Sequence, residues 1–302
     1  PKVTNELTHQ LATFHAKTLD EHKRLYFSEE GYDDFFYGKG STYPDINAGV
    51  GILFEQASSR GLAYESTNGL LTFQYGIENN VLTSMSTIQG AWANRQAIKN
   101  HRQQFYQEIE EQVEDEAFDG YLLSERYDPY RLNVLLELLK QHQIKAYPLT
   151  DNYEIDGQVL NSKTTFYVPL NQPKYLMIKA IFNSQQIFKN NSFYDISGWT
   201  LPMAMNINFQ AVEKSRSLKL SKIPWKNTSL FSRQMPIESY AYTLSWDDYL
   251  APKLLNKLLS YGVRVNVATS DFSAKSNGKV TTFKKGALVI PTRLQSTNGW
   301  LN

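Results

Sequence analysis

The sequence predicts an α/β protein, and three observations carry that prediction. Short apolar runs such as Val50–Phe54 have the length and character of buried strands. Elsewhere, apolar residues recur at the three- and four-residue steps of a helix. A strand–helix–strand pattern occurs twice in the second half of the chain. The chain has 302 residues, 41% of them hydrophobic, and is therefore long enough for two domains with sizeable cores.

Composition and charge exclude several classes of function. The formal net charge of +1 gives no global electrostatic basis for binding nucleic acid. No apolar run reaches the roughly 18 residues that indicate a membrane-spanning helix. The sequence contains no cysteine, which excludes disulfides, thiolate metal sites and a cysteine nucleophile. We therefore expect neither a nucleic-acid partner nor a membrane span.

The first predicted element is a helix from Thr4 to Leu19. One face of it is apolar and carries Leu7, Leu11, Phe14 and Leu19. This face has no earlier element to pack on, and the chain opens at Pro1 without an initiator methionine or a signal peptide. We therefore expect the chain to be a piece of a longer polypeptide.

The stretch from Tyr37 to Gly61 has two parts. Its first part, Tyr37–Asp45, is dense in residues that break regular structure, which predicts a shaped loop. The predicted strand Val50–Phe54 follows, and Glu55 stands at its end. A carboxylate at the end of a buried strand is costly unless it is paired or functional. Glu55 is therefore either an acid paired with an arginine such as Arg60 or a working group.

A long helical pattern comes next, and its apolar stripe is predicted to be core rather than a partner surface. The stripe consists of Val81, Met85, Ile88, Trp92, Ile98, Phe105 and Ile109. The acidic stretch Glu110–Glu116 closes the pattern. We place a domain boundary there, between a domain of residues 1–115 and a domain of residues 116–302.

The second domain contains an internal repeat, with one copy starting at Asp119 and the other at Ser239. Each copy predicts a strand, a helix capped by an acid, and a further strand, which is the βαβ arrangement of a parallel sheet. The matched positions are Asp128 with Asp248, Leu138–Leu139 with Leu258–Leu259, and Pro169 with Pro291.

The run GKGSTYPDINAGVGILFEQASSRG from Gly38, with the tyrosine before it, resembles the C-terminal signature of carboxypeptidase A-type zinc metallopeptidases, and a bacterial branch in particular. The resemblance implies that Tyr37 closes over a bound peptide and that Asp45 lies on the floor of the specificity pocket. It implies that Glu55 is the general acid/base of a zinc-dependent peptide hydrolysis. It also implies a periplasmic or secreted location, with residues 1–115 forming the C-terminal portion of a mixed sheet.

The zinc ligands of that family include a His-x-x-Glu motif. None of the five histidines is followed by glutamate at that spacing: His9, His15, His22, His101 and His142. His15 and His22 are about two helical turns apart, too far for one metal. We therefore expect ordinary surface or capping histidines and no metal ligand in this chain. All three zinc ligands are expected upstream, in the remainder of the parent polypeptide, so the chain alone is expected to be inactive.

The repeat and the segment SFYDISGWTLPMAMNI from Ser192 resemble class I glutamine amidotransferase-like domains, which implies a parallel α/β fold for residues 116–302. That chemistry needs a cysteine on a strand-to-helix elbow, and neither a cysteine nor a Gly-x-Ser-x-Gly elbow is present. We therefore expect a scaffold or recognition module. The basic segment Lys214–Gln234 is expected to be a solvated linker rather than a nucleic-acid patch.

Two functions remain open from the sequence. One is part of a zinc metallocarboxypeptidase that acts on peptides. The other is a non-catalytic binding protein with a carboxypeptidase-like fold. A His-x-x-Glu motif and a later histidine in the polypeptide before Pro1 would favour the enzyme.

Overall fold

The computed structural model describes residues 2–28, 36–125, 127–184, 200–213, 215–226, 239–276 and 278–296. The chain divides into two compact units. The first comprises residues 1–117 and 170–204, and the second comprises residues 118–169 and 205–302. The domain bounds predicted from the sequence, 1–115 and 116–302, stay a prediction.

Helices and strands are both well represented among the described residues, which confirms a mixed α/β protein. The α-helices are α1 Lys2–Glu21, α2 Thr42–Asp45, α3 Phe73–Ala93, α4 Arg95–Glu114, α5 Pro129–Gln141, α6 Tyr175–Phe182, α7 Leu201–Ala204 and α8 Ala251–Ser260. None of these helices is long and apolar enough to cross a membrane.

Among the described residues, the strands of the first unit form one hairpin, and those of the second unit form two sheets and two hairpins. In chain order they are β1 Ala63–Ser66, β2 Gly69–Thr72, β3 Gly120–Ser124, β4 Tyr147–Pro148, β5 Tyr153–Ile155, β6 Gln158–Leu160, β7 Thr165–Pro169, β8 Asn208–Val212, β9 Ala241–Leu244, β10 Asn266–Val267, β11 Phe272–Ser276, β12 Lys279–Phe283 and β13 Leu288–Pro291.

Helix α1 is the predicted first helix, and it packs against α3 and α4. Leu7, Leu11 and Leu19 are buried, as the apolar pattern predicts. Gly90 on α3 permits a close approach, because a Cβ at this position would lie 3.3 Å from side-chain atoms of Leu11 and Phe14. The helices that pack on the apolar face of α1 therefore come after α1 in the chain.

The helical pattern from Val81 to Ile109 is divided into two helices at Asn94. The Asn94 side-chain amide donates to the Gly90 carbonyl oxygen at 2.9 Å and closes α3, and α4 begins at the next residue. Phe105 and Ile109 on α4 are buried as predicted. The prediction of core is wrong for α3, where no described residue covers the apolar stripe and the buried side chains are small or polar. They are Asn79, Thr83, Ser86 and Gly90.

The second unit holds two sheets whose strand orders are β4-β7-β3-β8 and β10-β13-β9. All the strand pairs described in them are antiparallel, so the predicted parallel sheet is not found there. The physical reason is an inserted strand. β3 and β4, joined through α5, run in the same direction because both are antiparallel to β7. The predicted βαβ direction is right, but β7 separates its two strands.

The internal repeat is confirmed by the strand register. Each copy runs strand, helix, short strand, hairpin and strand, and the last strand pairs with both of the others. Gly120 pairs with Pro169 in the first copy, and Ala241 pairs with Pro291 in the second. The predicted match of Pro169 with Pro291 therefore holds.

The leucine match of the two copies is one residue out. Leu139 accepts a hydrogen bond from the Ile144 amide, and Leu258 accepts one from the Val263 amide, at the equivalent helix end. Both leucines are buried. Leu139 is therefore equivalent to Leu258, whereas the predicted match paired it with Leu259.

A short turn closes the β5–β6 hairpin of the second unit. Asp156 and Gly157 join β5 to β6, and their φ values of 50° and 74° are those of a type I′ turn. This turn has the twist that two antiparallel strands need. Asp-Gly is one of the residue pairs that favour it.

Candidate functional site

The predicted site lies in the first unit, in a segment that we call the Tyr37 loop, residues 36–51. Backbone hydrogen bonds fold it on itself: the Lys39 amide donates to the Phe36 carbonyl oxygen and the Tyr43 amide donates to that of Lys39. The short helix α2 follows, and the Gly49 amide donates to the Pro44 carbonyl oxygen at 2.8 Å. The predicted shaped loop is therefore a compact structure with its own hydrogen bonds.

Asp45 closes the Tyr37 loop. Its Oδ1 atom accepts a hydrogen bond from the Gly51 amide at 2.8 Å. The contact brings Gly51 so close to Ser41 that an added Cβ would lie 1.8 Å from the Ser41 carbonyl oxygen. Only glycine fits at this position, because a backbone oxygen cannot move aside as a flexible side chain can. The predicted pocket aspartate thus has a structural hydrogen bond within the loop.

Tyr37 lies at the start of the loop and is half-buried. Its ring packs at a tilt against Phe36, with the ring centroids 5.2 Å apart. Burial raises the pKa of the Tyr37 phenol, because the phenolate form loses solvation. The phenol is protonated at physiological pH in any case, and the shift moves its pKa further from that range.

Glu55 is exposed, and the residues before it do not form the predicted buried strand. Residues 50–59 have no regular structure, and Leu53 and Phe54 are 47% and 40% exposed. The physical reason is that no strand of the described chain lies beside Val50–Phe54 to pair with its backbone. The prediction of a strand is therefore wrong for the described structure, while the catalytic role of Glu55 stays a prediction.

The neighbours of Glu55 explain which way it faces. The Phe54 ring makes an edge contact with His15 of α1, with the ring centroids 4.8 Å apart. The Asn79 side-chain amide of α3 donates to Gln56 Oε1 at 3.1 Å. Phe54 and Gln56 are thus held against the helices, while Glu55 between them is exposed.

The structure links some of the predicted site residues and leaves others apart. Asp45 binds the backbone at Gly51, four residues before Glu55. Among the described residues, no hydrogen bond or ion pair joins Glu55 to Tyr37 or to Asp45. Arg60, considered as a partner for Glu55, instead lies over the Tyr64 ring at 5.3 Å from its centroid. The carboxylate of Glu55 is thus accessible to solvent.

Two histidines differ from the prediction of surface or capping positions. His15 and His101 are each 5% exposed. His15 Nδ1 lies 2.8 Å from Ser86 Oγ, and burial lowers the pKa of the ring. Sequence reasoning missed them because burial depends on helices distant in the chain.

The surroundings of the buried histidine do not suit the zinc that the resemblance implies. Around His15 are a serine hydroxyl and an aromatic ring, and no ion pair joins it to a carboxylate of the described residues. No group of three His, Asp or Glu side chains suited to a metal ion occurs among the described residues. The described residues therefore supply no ligand set for zinc.

Lys174 is a contact of the Tyr37 loop that the sequence analysis missed. Its Nζ donates to Asn47 Oδ1 at 2.7 Å. Burial and the nearby positive charge of Arg102 lower the pKa of Lys174. The two residues are 127 positions apart, so no local pattern signals the contact.

The second unit has a glutamate at a similar position, directly after β3. Glu125 is buried, and its Oε1 accepts hydrogen bonds from the Tyr127 and Asp128 amides. Arg131 lies 3.4 Å from its other oxygen. Asp128 caps α5 and also accepts from the Tyr249 amide at 2.6 Å. These acids are satisfied by protein groups, which is the signature of a structural network.

The chain matches no model of a known protein family, no curated protein and no solved structure.

Proposed function

We propose that the chain is the C-terminal part of a zinc-dependent metallocarboxypeptidase that hydrolyses peptides. In this proposal Glu55 is the general acid/base, Tyr37 closes over the substrate and Asp45 shapes the pocket. The remainder of the parent polypeptide carries the zinc ligands. The observation that carries the proposal is the closed Tyr37 loop, in which Asp45 binds the Gly51 amide and so fixes the backbone four residues before Glu55.

The loop supports the proposal because two residue types of the resemblance, an aspartate and a glycine, each have a physical role in it. The glycine that approaches Ser41 is required by the close packing, and the aspartate is required by the hydrogen bond. A loop that only connected two elements would not need both. In this proposal the loop would hold Tyr37 near its start and Gly51 at its end, four residues before Glu55.

Glu55 has the accessibility that proton transfer requires. In the parent, zinc held by upstream ligands would polarise the scissile carbonyl and lower the pKa of a bound water. The Glu55 carboxylate would take a proton from the attacking water and deliver it to the departing amine. Its exposure in this chain supports the role, because a carboxylate already bound by an arginine could not accept that proton readily.

Tyr37 would contribute to binding. Its phenol is neutral at physiological pH, so the hydroxyl group could donate to a peptide carbonyl or to the terminal carboxylate of the substrate. Gly38 and Gly40 flank Lys39 directly after it. Glycine has more backbone freedom than other residues, which would let the loop close over a substrate.

The second unit would serve as a scaffold or recognition module beside the peptidase. The matching directions of β3 and β4 support a distant relation to amidotransferase-like domains. The inserted strand β7 sets the unit apart from their parallel sheets. A cysteine-dependent amidotransferase reaction is excluded, since the sequence has no cysteine.

The test is steady-state hydrolysis of blocked dipeptides by the full-length parent, with zinc content measured for each variant. General acid–base catalysis typically contributes about 10²–10⁴-fold to a rate, and Glu55→Gln should reduce kcat by more than the low end of that range at unchanged zinc content. Tyr37→Phe should act mainly on substrate binding and more mildly. Glu65→Gln, an exposed glutamate of the same unit, is the matched control and should leave kcat unchanged. If Glu55→Gln keeps the parental kcat with full zinc, the binding-protein function replaces the enzyme.

A further inference from the structure

The outward side of α3 is an unusual surface. We call it the α3 face, and it consists of Ile77, Val81, Met85, Ile88 and Trp92. These side chains are between 50% and 71% exposed, and no described residue covers them. Glu78 is the only charged residue in all of α3. Depletion of charge around large apolar side chains is typical of the core of a protein interface.

The α3 face lies away from the rest of the first unit. At 3.6 residues per turn, its centre is roughly 180° around the helix from the buried side chains that face α1. The Val50–Phe54 segment is on the buried side too, because Gln56 contacts Asn79 and Phe54 contacts His15. A sheet completed through Val50–Phe54 would therefore approach the opposite side of α3. Among the described residues, nothing thus occupies the α3 face.

Four of the five residues of the α3 face are placed symmetrically along the helix. Ile77 and Trp92 lie equally far from the midpoint between Ser84 and Met85, and so do Val81 and Ile88. A twofold axis at this midpoint would place a second α3 antiparallel to the first. It would set Trp92 of one copy against Ile77 of the other and Val81 against Ile88. A twofold contact requires this kind of self-complementary surface.

Shape agrees with this arrangement. A shallow depression of about 340 Å³ is lined by Ile77, Asn80, Val81, Ser84 and Met85, on one half of the α3 face. The bulky indole of Trp92 is on the other half, where the Arg95 guanidinium lies 4.7 Å from the centroid of its ring. The twofold axis would bring each indole to the depression of the other copy. Trp in a pocket is a common anchor of protein interfaces.

The area is also sufficient for association. The exposed parts of these side chains offer on the order of 600 Å² per copy, against roughly 800 Å² per partner in a standard interface. Polar side chains beside the face would supply the rest. From the charge depletion, the symmetry, the shape and the area we infer that the α3 face binds a second copy of this chain, as an antiparallel helix pair about a twofold axis. This inference does not depend on the hydrolase proposal.

The first experiment is sedimentation velocity of the full 302-residue chain across the micromolar range. The wild type should be dimeric, and Val81→Glu combined with Ile88→Glu should weaken the dimer by roughly 100-fold or more. Leu259→Glu, an equally exposed leucine of α8, is the control and should remain dimeric. Circular dichroism should show unchanged helix content. A monomer at all concentrations, or a dimer that survives both glutamates, would overturn the inference.

The second experiment tests which residues of the two α3 helices face each other. Because the sequence contains no cysteine, an introduced cysteine is the only thiol in each chain. Chains with Val81→Cys are mixed with chains carrying Ile88→Cys under mild oxidation. The mixture should form disulfide-linked dimers between the two variants. Each variant alone should crosslink poorly, because its own thiols would be roughly 10 Å apart along the pair, too far for a disulfide. Efficient crosslinking of each variant with itself would contradict the antiparallel pair.

Discussion

Two short apolar runs in this chain each end in a glutamate, and they fold differently. Val50–Phe54 precedes Glu55 and has no regular structure, whereas Gly120–Ser124 precedes Glu125 and forms the buried strand β3. The difference lies in their neighbours. β3 has β7 on one side and β8 on the other, while no described strand pairs with the first run. Strand formation thus depends on partners more than on local sequence.

The same contrast extends to the two glutamates. Glu125 is buried and held by two backbone amides and by Arg131. Glu55 is exposed and has no hydrogen-bond or ion-pair partner within the described part of the chain. Glu55 was considered as an acid paired with an arginine. The glutamate that has such a pairing in the structure is Glu125. A sequence pattern predicts that such an acid is special, but the surrounding structure decides whether it is bound or free.

The largest expected difference between the two runs is in the free energy of unfolding that is lost when a leucine is truncated. Leu123→Ala should lower the free energy of unfolding of the second unit by about 2–5 kcal/mol, because Leu123 is fully buried and the change leaves a cavity. Leu53→Ala removes the same atoms from a half-exposed side chain and should cost less than about 0.5 kcal/mol. Urea denaturation of the two variants measures both. Equal costs would show that Val50–Phe54 is packed as tightly as β3.

A smaller difference in the free energy of unfolding is expected when the two glutamates are replaced. Glu125→Gln should cost about 1–3 kcal/mol, since it weakens hydrogen bonds to a buried carboxylate and leaves Arg131 with less compensation. Glu55→Gln should leave the unfolding free energy unchanged within about 0.5 kcal/mol. The measurement is again denaturant unfolding. A large cost at Glu55 would identify it as a structural acid and weaken its proposed role in proton transfer.

The predictable features were those set by neighbours in sequence. The face of α1, the loop after Tyr37 and the capping acid Asp128 follow from periodicity, turn residues and local hydrogen bonds. The register of the repeat could be recovered from its prolines, because both stand at the same end of equivalent strands.

The features that could not be predicted depend on contacts between distant residues. The insertion of β7 between β3 and β4 is a choice of topology that a strand pattern does not contain. The burial of His15 depends on Ser86, 71 positions away. The exposed face of α3 has an ordinary core pattern, and only the folded unit shows that its opposite side packs on α1.

In the proposed function, Val50–Phe54 would become a strand of a larger peptidase sheet in the parent and thereby position Glu55. The most direct test is amide hydrogen exchange of residues 50–55, compared between this chain and the full-length parent, with residues 120–124 as the internal reference. In this chain residues 50–55 should exchange quickly and residues 120–124 slowly. In the parent both segments should be protected. If residues 50–55 exchange quickly in the parent as well, no sheet forms around them and the proposed peptidase site is wrong.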